Sequence, residues 1–239
     1  MWLVLCNPDD VSALWAGQGL RARGMKPVEF VSPVELVCAH RLEYRAGNRE
    51  PVHASAELTG GRRMDVRRLR GTLNRAAHVD YPQVRRAATA DRPYVQAEMD
   101  AILLAWLGAL PAPLYNPAHP SGWAGAQWHP FVWALRAQAA GFLTPQHRCG
   151  YSGMEQPLTQ SRNFTSHLVF GGRSFPALPQ DLERAAARLA ESVGIPLLGI
   201  TLAWMLDGQA LFTGATPMPD LRTGGVAFLD GLTSAFTAS

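Results

Sequence analysis

Residues 187–231 read ARLAESVGIPLLGITLAWMLDGQALFTGATPMPDLRTGGVAFLDG. The segment enters on the end of a helix. Pro179 to Val193 sets Leu182, Ala186 and Leu189 on one face, and Gly194 stops it. Leu197 to Met205 and Gln209 to Thr213 then read as strands. They are joined by Asp207-Gly208, a pair that accepts the positive φ values a tight hairpin needs. Val226 to Phe236 gives a closing helix. The last third of the chain is therefore expected to be antiparallel strands backed by helices.

Working outward, Ser166 to Phe170, Gly171-Gly172 and Arg173 to Phe175 predict another hairpin. Residues 144 to 163 are polar, weakly periodic and rich in Gln, Ser and Gly, which reads as a connection between lobes. Before it, a helix is expected over Gln127 to Ala140, with Phe131, Val132 and Leu135 inward and Gly141 as its stop. Asp91 is the expected cap of the clearest helix, which carries Val95, Met99, Ile102, Leu103, Trp106, Leu107 and Leu110 at helical spacing. Pro111 and Pro113 end it, and Leu114-Tyr115-Asn116-Pro117 reads as a short strand ending at a turn.

The beginning has the texture of a parallel lobe. Trp2 to Cys6 is an apolar strand, Asp9 or Asp10 caps a helix with Leu14, Trp15 and Leu20 inward, and Val28 to Val31 is a second strand. Val34 to Asn74 predicts short hairpin strands on or beside that sheet, with turns at Gly47-Asn48 and Gly60-Gly61. Thr72-Leu73 ends a strand and leaves Asn74-Arg75 at its carboxyl end, where open α/β sheets bind ligands. The fold class is α/β of mixed α+β character, with an N-terminal mixed-sheet lobe and a smaller C-terminal lobe.

Composition narrows the function. A chain of 239 residues, 47% hydrophobic and 17% charged, can bury a proper core. Its longest apolar run, Ala101 to Leu110, is too short to span a bilayer. The N-terminus lacks a basic n-region and a small-residue cleavage site, so no signal peptide and a cytoplasmic location are expected. Cys6, Cys38 and Cys149 form no C-x-x-C, so neither a disulfide framework nor a zinc knuckle is indicated.

Lys26 is the only lysine, and it sits in an early loop. Arginines cluster at Arg62, Arg63, Arg67, Arg68 and Arg70, then at Arg85 and Arg86. Such a patch suits nucleic acid, an acidic peptide or phosphate. No aromatic is interleaved with the first cluster, so a solvated face is the preferred reading and nucleic acid is not expected. His147-x-Cys149 is the only close pairing of soft ligands, and Cys149 is the candidate reactive thiol. Trp123, Trp128 and Trp133 are candidates for an exposed partner-binding aromatic. Gly224-Gly225 precedes a helix, and its N–H groups could meet an anion beside Arg222.

The order helix, Gly194, strand, Asp207-Gly208, strand and Pro217-Met218-Pro219 resembles the closing part of ATP-grasp ligases. The branch it resembles is that of the glutathione-synthetase-like and ribosomal-protein glutamate ligases. The resemblance is specific over 187–231. It extends loosely to the opening β-α-β, Asn74-Arg75, the helix from Asp91, Asn116-Pro117 and a linking helix within Trp128 to Pro145. It implies a pre-ATP-grasp-like lobe over 1–145 and a truncated ATP-grasp-like lobe over 146–239.

That family moves a γ-phosphoryl group onto a carboxylate, using ATP and magnesium held by hard oxygen ligands. The resemblance places the family's aspartate, glutamate and asparagine at Thr201, Gly214 and Thr216. The phosphate-cradling lysines are missing too, and 145–166 leaves little room for the strands that cover adenine. It therefore implies a pseudoenzyme with no metal site, no cofactor and no assigned catalytic residue. It would serve a protein or peptide partner, with a complete ATP-grasp enzyme as one candidate, as a homo- or hetero-oligomer. Asn74, Arg75, Asn116 and Arg222 are expected to converge between the lobes and hold a carboxylate or phosphate. The alternative is an active carboxylate–amine ligase using ATP and Mg, with Asp220 in a rebuilt metal site and Arg162, Arg173 or Arg222 replacing lysine.

Overall fold

The computed structural model describes residues 1–48, 52–145 and 161–238, with the backbone only at 161–162. The chain divides into two units, Met1–Ala124 with Leu232–Ser239, and Gly125–Gly231.

The first unit is built on β1 (Trp2–Cys6), which is buried at every residue. An uninterrupted apolar run is what a parallel strand covered on both faces requires. Its neighbours are β2 (Val28–Val31) and β6 (Gly71–Arg75), and β7 (Leu114–Tyr115) completes the parallel order β2-β1-β6-β7. Helix α1 (Val11–Ala22) starts at Asp10, whose carboxylate accepts from the Ala13 N–H at 2.9 Å. Its inward face differs from the expected one. Leu14 and Trp15 are only half-buried, while Ala13, Ala16, Gly17 and Leu20 point inward. Close approach is the reason, because a Cβ at Gly17 would lie 2.2 Å from the Phe30 ring on β2.

Helix α2 (Pro33–Val37) was not foreseen, although Ser32 and Glu35 form a full capping box around it. After it, β3 (Arg41–Arg45), β4 (His53–Glu57) and β5 (Arg63–Asp65) make a separate antiparallel sheet in the order β3-β4-β5. Gly60 and Gly61 turn between β4 and β5 with φ of 79° and 77°. Short α3 (Pro82–Arg86) precedes α4 (Arg92–Gly108). Ala54, Ala56 and Met64 from the small sheet share a core with Leu3, Leu5, Leu103, Trp106 and Leu107. Asp91 does not cap α4: its backbone is already αR and its carboxylate takes no cap hydrogen bond. Only the later turns of α4 lie on the core, which leaves Ile102 exposed.

The second unit begins with α5 (Pro130–Ala140), capped by His129 and stopped by Gly141 at φ 101°. Trp133, Ala134, Ala137 and Ala140 face inward; Phe131 and Val132 are half-buried and Leu135 is exposed. Its partner is α6 (Gln180–Ser192), and small residues again let the two helices approach. The sheet runs β11-β10-β8-β9, all antiparallel, from β8 (Ser161–Phe170), β9 (Arg173–Phe175), β10 (Leu197–Met205) and β11 (Ala210–Thr216). Strand β8 starts at Ser161, so the tail of the expected 144–163 connection is strand; 146–160 lie outside the described residues. The β10–β11 hairpin closes across Asp207-Gly208, where the Met205 N–H donates to the Gln209 carbonyl at 2.8 Å. Helix α7 (Gly225–Thr237) ends the chain. Among the described residues, no helix is long and apolar enough to cross a membrane.

Candidate functional site

The carboxyl end of the parallel sheet gathers three of the expected residues. Asn74 and Arg75 end β6, and Asn116 follows β7 in a left-handed conformation (φ 61°), one that asparagine tolerates better than other side chains. All three are buried. The Asn74 amide donates to the carbonyls of Asn116 (2.8 Å) and Trp123 (2.7 Å), and its oxygen accepts from the Ala76 N–H at 3.2 Å. Arg75 donates through Nε to Asp10 Oδ2 at 2.8 Å, in an ion pair whose side chains are 4% and 13% exposed. Asn7, just after β1, adds bonds to the His78 carbonyl (3.1 Å) and from the Ala77 N–H (3.3 Å). These groups lace the loops after β1, β6 and β7 into one rigid edge. Cys6 lies beneath it, and burial first, then the Asp10 carboxylate, pushes its thiol up to about 11.

In the second unit, the open face of the antiparallel sheet gathers the three positions assigned to metal ligands. Thr201 on β10 lies directly opposite Gly214 on β11, and Thr216 pairs with Gly199 two residues back. Cross-strand partners and alternate residues share a face, so all three positions lie on one side. Ser166 and Phe164 of β8 join them, opposite Thr201 and Ala203. The other side, with Leu198, Ile200 and Leu202, packs into the core with Trp133, Ala137 and Leu189. A bulge after Thr201 lets the Thr213 hydroxyl donate to the Thr201 carbonyl at 3.0 Å, and Thr216 Oγ1 accepts from the Met218 N–H at 3.0 Å. The face thus offers three hydroxyls and Phe164, which is 55% exposed. Ser166 and Phe164 were missed as site residues, although the alternation of β8, carried back from Ser166, puts them on that side.

Arg222 is in this second unit, where its guanidinium and backbone N–H all donate to Asp220. The two therefore engage each other in this conformation. Arg173 stacks over Phe175 at 5.7 Å. Trp133 is buried, its ring 5.0 Å from that of half-buried Trp128, and Trp123 is half-buried as well. Gly171 and Gly172 are the β8–β9 turn, and Gly224 packs against Leu168 and Phe228. His147, Cys149 and the Arg162 side chain lie outside the described residues. Among the described residues, no three His, Cys, Asp or Glu side chains gather as a metal-binding group.

No family model matches the chain, and no curated protein matches its sequence. Solved structures match over almost its whole length. Macrocyclase MdnC of Microcystis aeruginosa MRC, bound with precursor peptide MdnA, superposes with a TM-score of 0.74 at 10% identity, covering 100% of both chains. The ATP-grasp ligase PsnB, complexed with precursor peptide PsnA2 and AMPPNP, gives 0.69 at 14% identity, covering 99% of this chain and 97% of that one. A RiPP-associated ATP-grasp ligase of Chryseobacterium gregarium, in complex with ADP and a leader and core peptide, gives 0.66 at 10% identity, covering 99% and 95%. A parallel-sheet unit followed by an antiparallel sheet backed by helices, matched end to end by these structures, gives the chain the same fold as these proteins.

Proposed function

We propose that this protein is an ATP-grasp-derived pseudoenzyme that binds a peptide and acts as a cytoplasmic helper to a peptide-modifying ligase. The observation that carries the reading is the Thr201–Gly214–Thr216 face. Phosphoryl transfer concentrates negative charge on the nucleotide phosphates, and magnesium offsets it only where carboxylates anchor the ion. Two neutral hydroxyls and a glycine do not fit a magnesium ion, and Asp220 is engaged by Arg222. Lys26, the one lysine, lies in the first unit between α1 and β2, so no lysine of the second unit can cradle a phosphate. The peptide half of the reading is supported by the neighbours, which include ligases solved with precursor peptides bound. Hydroxyls and an exposed phenylalanine on a rigid sheet can bind a peptide by neutral hydrogen bonds and apolar contact.

The test is metal binding, read by the electron paramagnetic resonance of Mn²⁺ as a magnesium surrogate. The wild-type chain should leave unchanged both the free-ion signal and the weaker signal that Mn²⁺ gives with ATP in the absence of protein. A triple variant, Thr201→Asp, Gly214→Glu and Thr216→Asn, should quench the free-ion signal. A change by the wild type beyond the protein-free Mn²⁺–ATP control would refute the pseudoenzyme reading.

A further inference from the structure

The arginine run of the sequence lies beside a cavity that the peptide-modifying reading has not used. Strands β4 and β5 alternate, with Ala54, Ala56 and Met64 facing the core and polar or charged residues facing outward, and the register carries the same two faces onto β3. The outward face reads Arg41, Glu43, Arg45 on β3, then His53, Ser55, Glu57 on β4, and Arg63, Asp65 on β5. All of these except Arg45, which lies at the edge of the face beside Glu43, line a cavity of about 320 Å³ together with Arg67 and Arg68 from the turn after β5. The charges are layered. Glu43 and Asp65 form the floor, with side chains 24% and 23% exposed, while Arg41, Arg45, Arg63 and Arg67 form the rim at 66–79%.

Each floor carboxylate is held by a rim guanidinium: Glu43 by Arg41 and Arg45, and Asp65 by Arg67 in a two-point contact. The guanidinium hydrogen bonds hold both acids below the usual carboxylate range, so the floor stays ionised. The rim still has donors to give. A guanidinium carries five N–H groups, and Arg45 places one on Glu43 while Arg63 stands 3.8 Å from Glu57. The four arginines that line the cavity, with Arg45 beside them on Glu43, face Glu43, Glu57 and Asp65 and leave a cationic surplus that a bound anion would offset.

We infer that the outward face of β3-β4-β5 docks an acidic segment of a peptide, its carboxylates on the rim arginines. Charge layering argues for peptide over nucleic acid. A polynucleotide presents phosphates without a break, and Glu43 and Asp65 would repel those that lie between rim arginines. The cavity lining also holds no Phe, Tyr or Trp ring on which a base could stack, and its one imidazole, His53, lies 3.3 Å from Asp65 with a side chain only 21% exposed. An extended peptide suits the pattern, because side chains on one of its faces recur at about 6.8 Å, the same repeat that spaces residues 41, 43 and 45. Acidic residues four apart would meet Arg41 and Arg45, and a basic or hydroxyl residue midway would sit over Glu43. The inference rests on the proposed function only in taking the occupant to be a peptide.

The probe is a fluorescein-labelled peptide made of two Glu-Ser-Lys-Ser-Glu repeats, followed by anisotropy with the full chain. Saturable binding that weakens steeply with added salt is expected. Arg45→Glu with Arg63→Glu should weaken it at least about tenfold. Both residues are exposed rim positions, and the Arg45→Gln, Arg63→Gln pair should fall between that variant and the wild type. Arg184→Glu, an exposed change in the second unit, should leave binding unchanged. Equal affinity in the reversed variant, tighter binding of a single-stranded RNA of similar length, or no binding of the peptide would each overturn the assignment. Magnesium-dependent ATP binding with peptide docking intact would remove the pseudoenzyme reading and leave this one standing.

Discussion

Asn74 has both amide hydrogens on backbone carbonyls of loops that lie 42 and 49 residues away in sequence. Asn74→Ala strands those acceptors and should cost about 3 kcal/mol in urea denaturation. Arg75 and Asp10 form the buried pair beside it, and Asp10 also caps α1. Asp10→Ala removes both functions and leaves a guanidinium buried without its carboxylate, so a loss of about 4 kcal/mol is expected by the same measurement. Cys6 gives a pH signature. Its folded thiol holds its proton up to about 11 against an ordinary 9.0, so the native state binds more protons than the unfolded chain in between. Stability should therefore fall from about pH 9 to about pH 11 by roughly 2–3 kcal/mol, and Cys6→Ala should abolish the part below pH 10. Tyr81, raised by burial and by its bond to Asp100, adds a further fall above pH 10. Asn74, Arg75 and Asn116 were legible as strand-end residues from the apolar runs before them. Their partners were not, since nothing local in the sequence pairs position 75 with position 10.

The elements were legible where turn chemistry or a stop residue decides them. Asp207-Gly208, Gly171-Gly172 and Gly60-Gly61 each turn a hairpin, and Gly141 and Gly194 each stop a helix in the left-handed region. Inward faces were harder to read. Hydropathy selects the largest apolar residues, whereas the inward faces of α1 and α5 are made mostly of Ala and Gly around Leu20 and Trp133, because close packing leaves room for little more. Gly17→Ala tests this point, since the added methyl meets Phe30 and should cost about 2 kcal/mol, read as a lower melting temperature. Gly225 opens α7 with φ 56° and ψ −152°, a region reserved for glycine. Gly225→Ala should cost about 2 kcal/mol on the same scale. Helix α2 was missed although Ser32-Pro33 and Glu35 announce it, because a five-residue helix has no periodicity to find.

At the scale of the molecule, the β1-α1-β2 opening and the two C-terminal hairpins have the connectivity the sequence suggested, and solved structures that include an ATP-grasp ligase match the chain nearly end to end. In the function we propose, chemistry separates from fold at a few side chains. The β10–β11 hairpin is paired from Gly199–Thr216 to Trp204–Ala210, and Thr201, Gly214 and Thr216 stand where the resemblance implies oxygen ligands. Fold survives such replacements because the opposite face of the same strands, with Ile200, Leu202 and Phe212, makes the core. Loss of divalent-cation chemistry on an intact scaffold is the central claim, and isothermal titration of the full chain with ATP tests it most directly, in magnesium and again after EDTA. No saturable heat up to about millimolar nucleotide is predicted in either buffer. Micromolar affinity that disappears when magnesium is removed would contradict it.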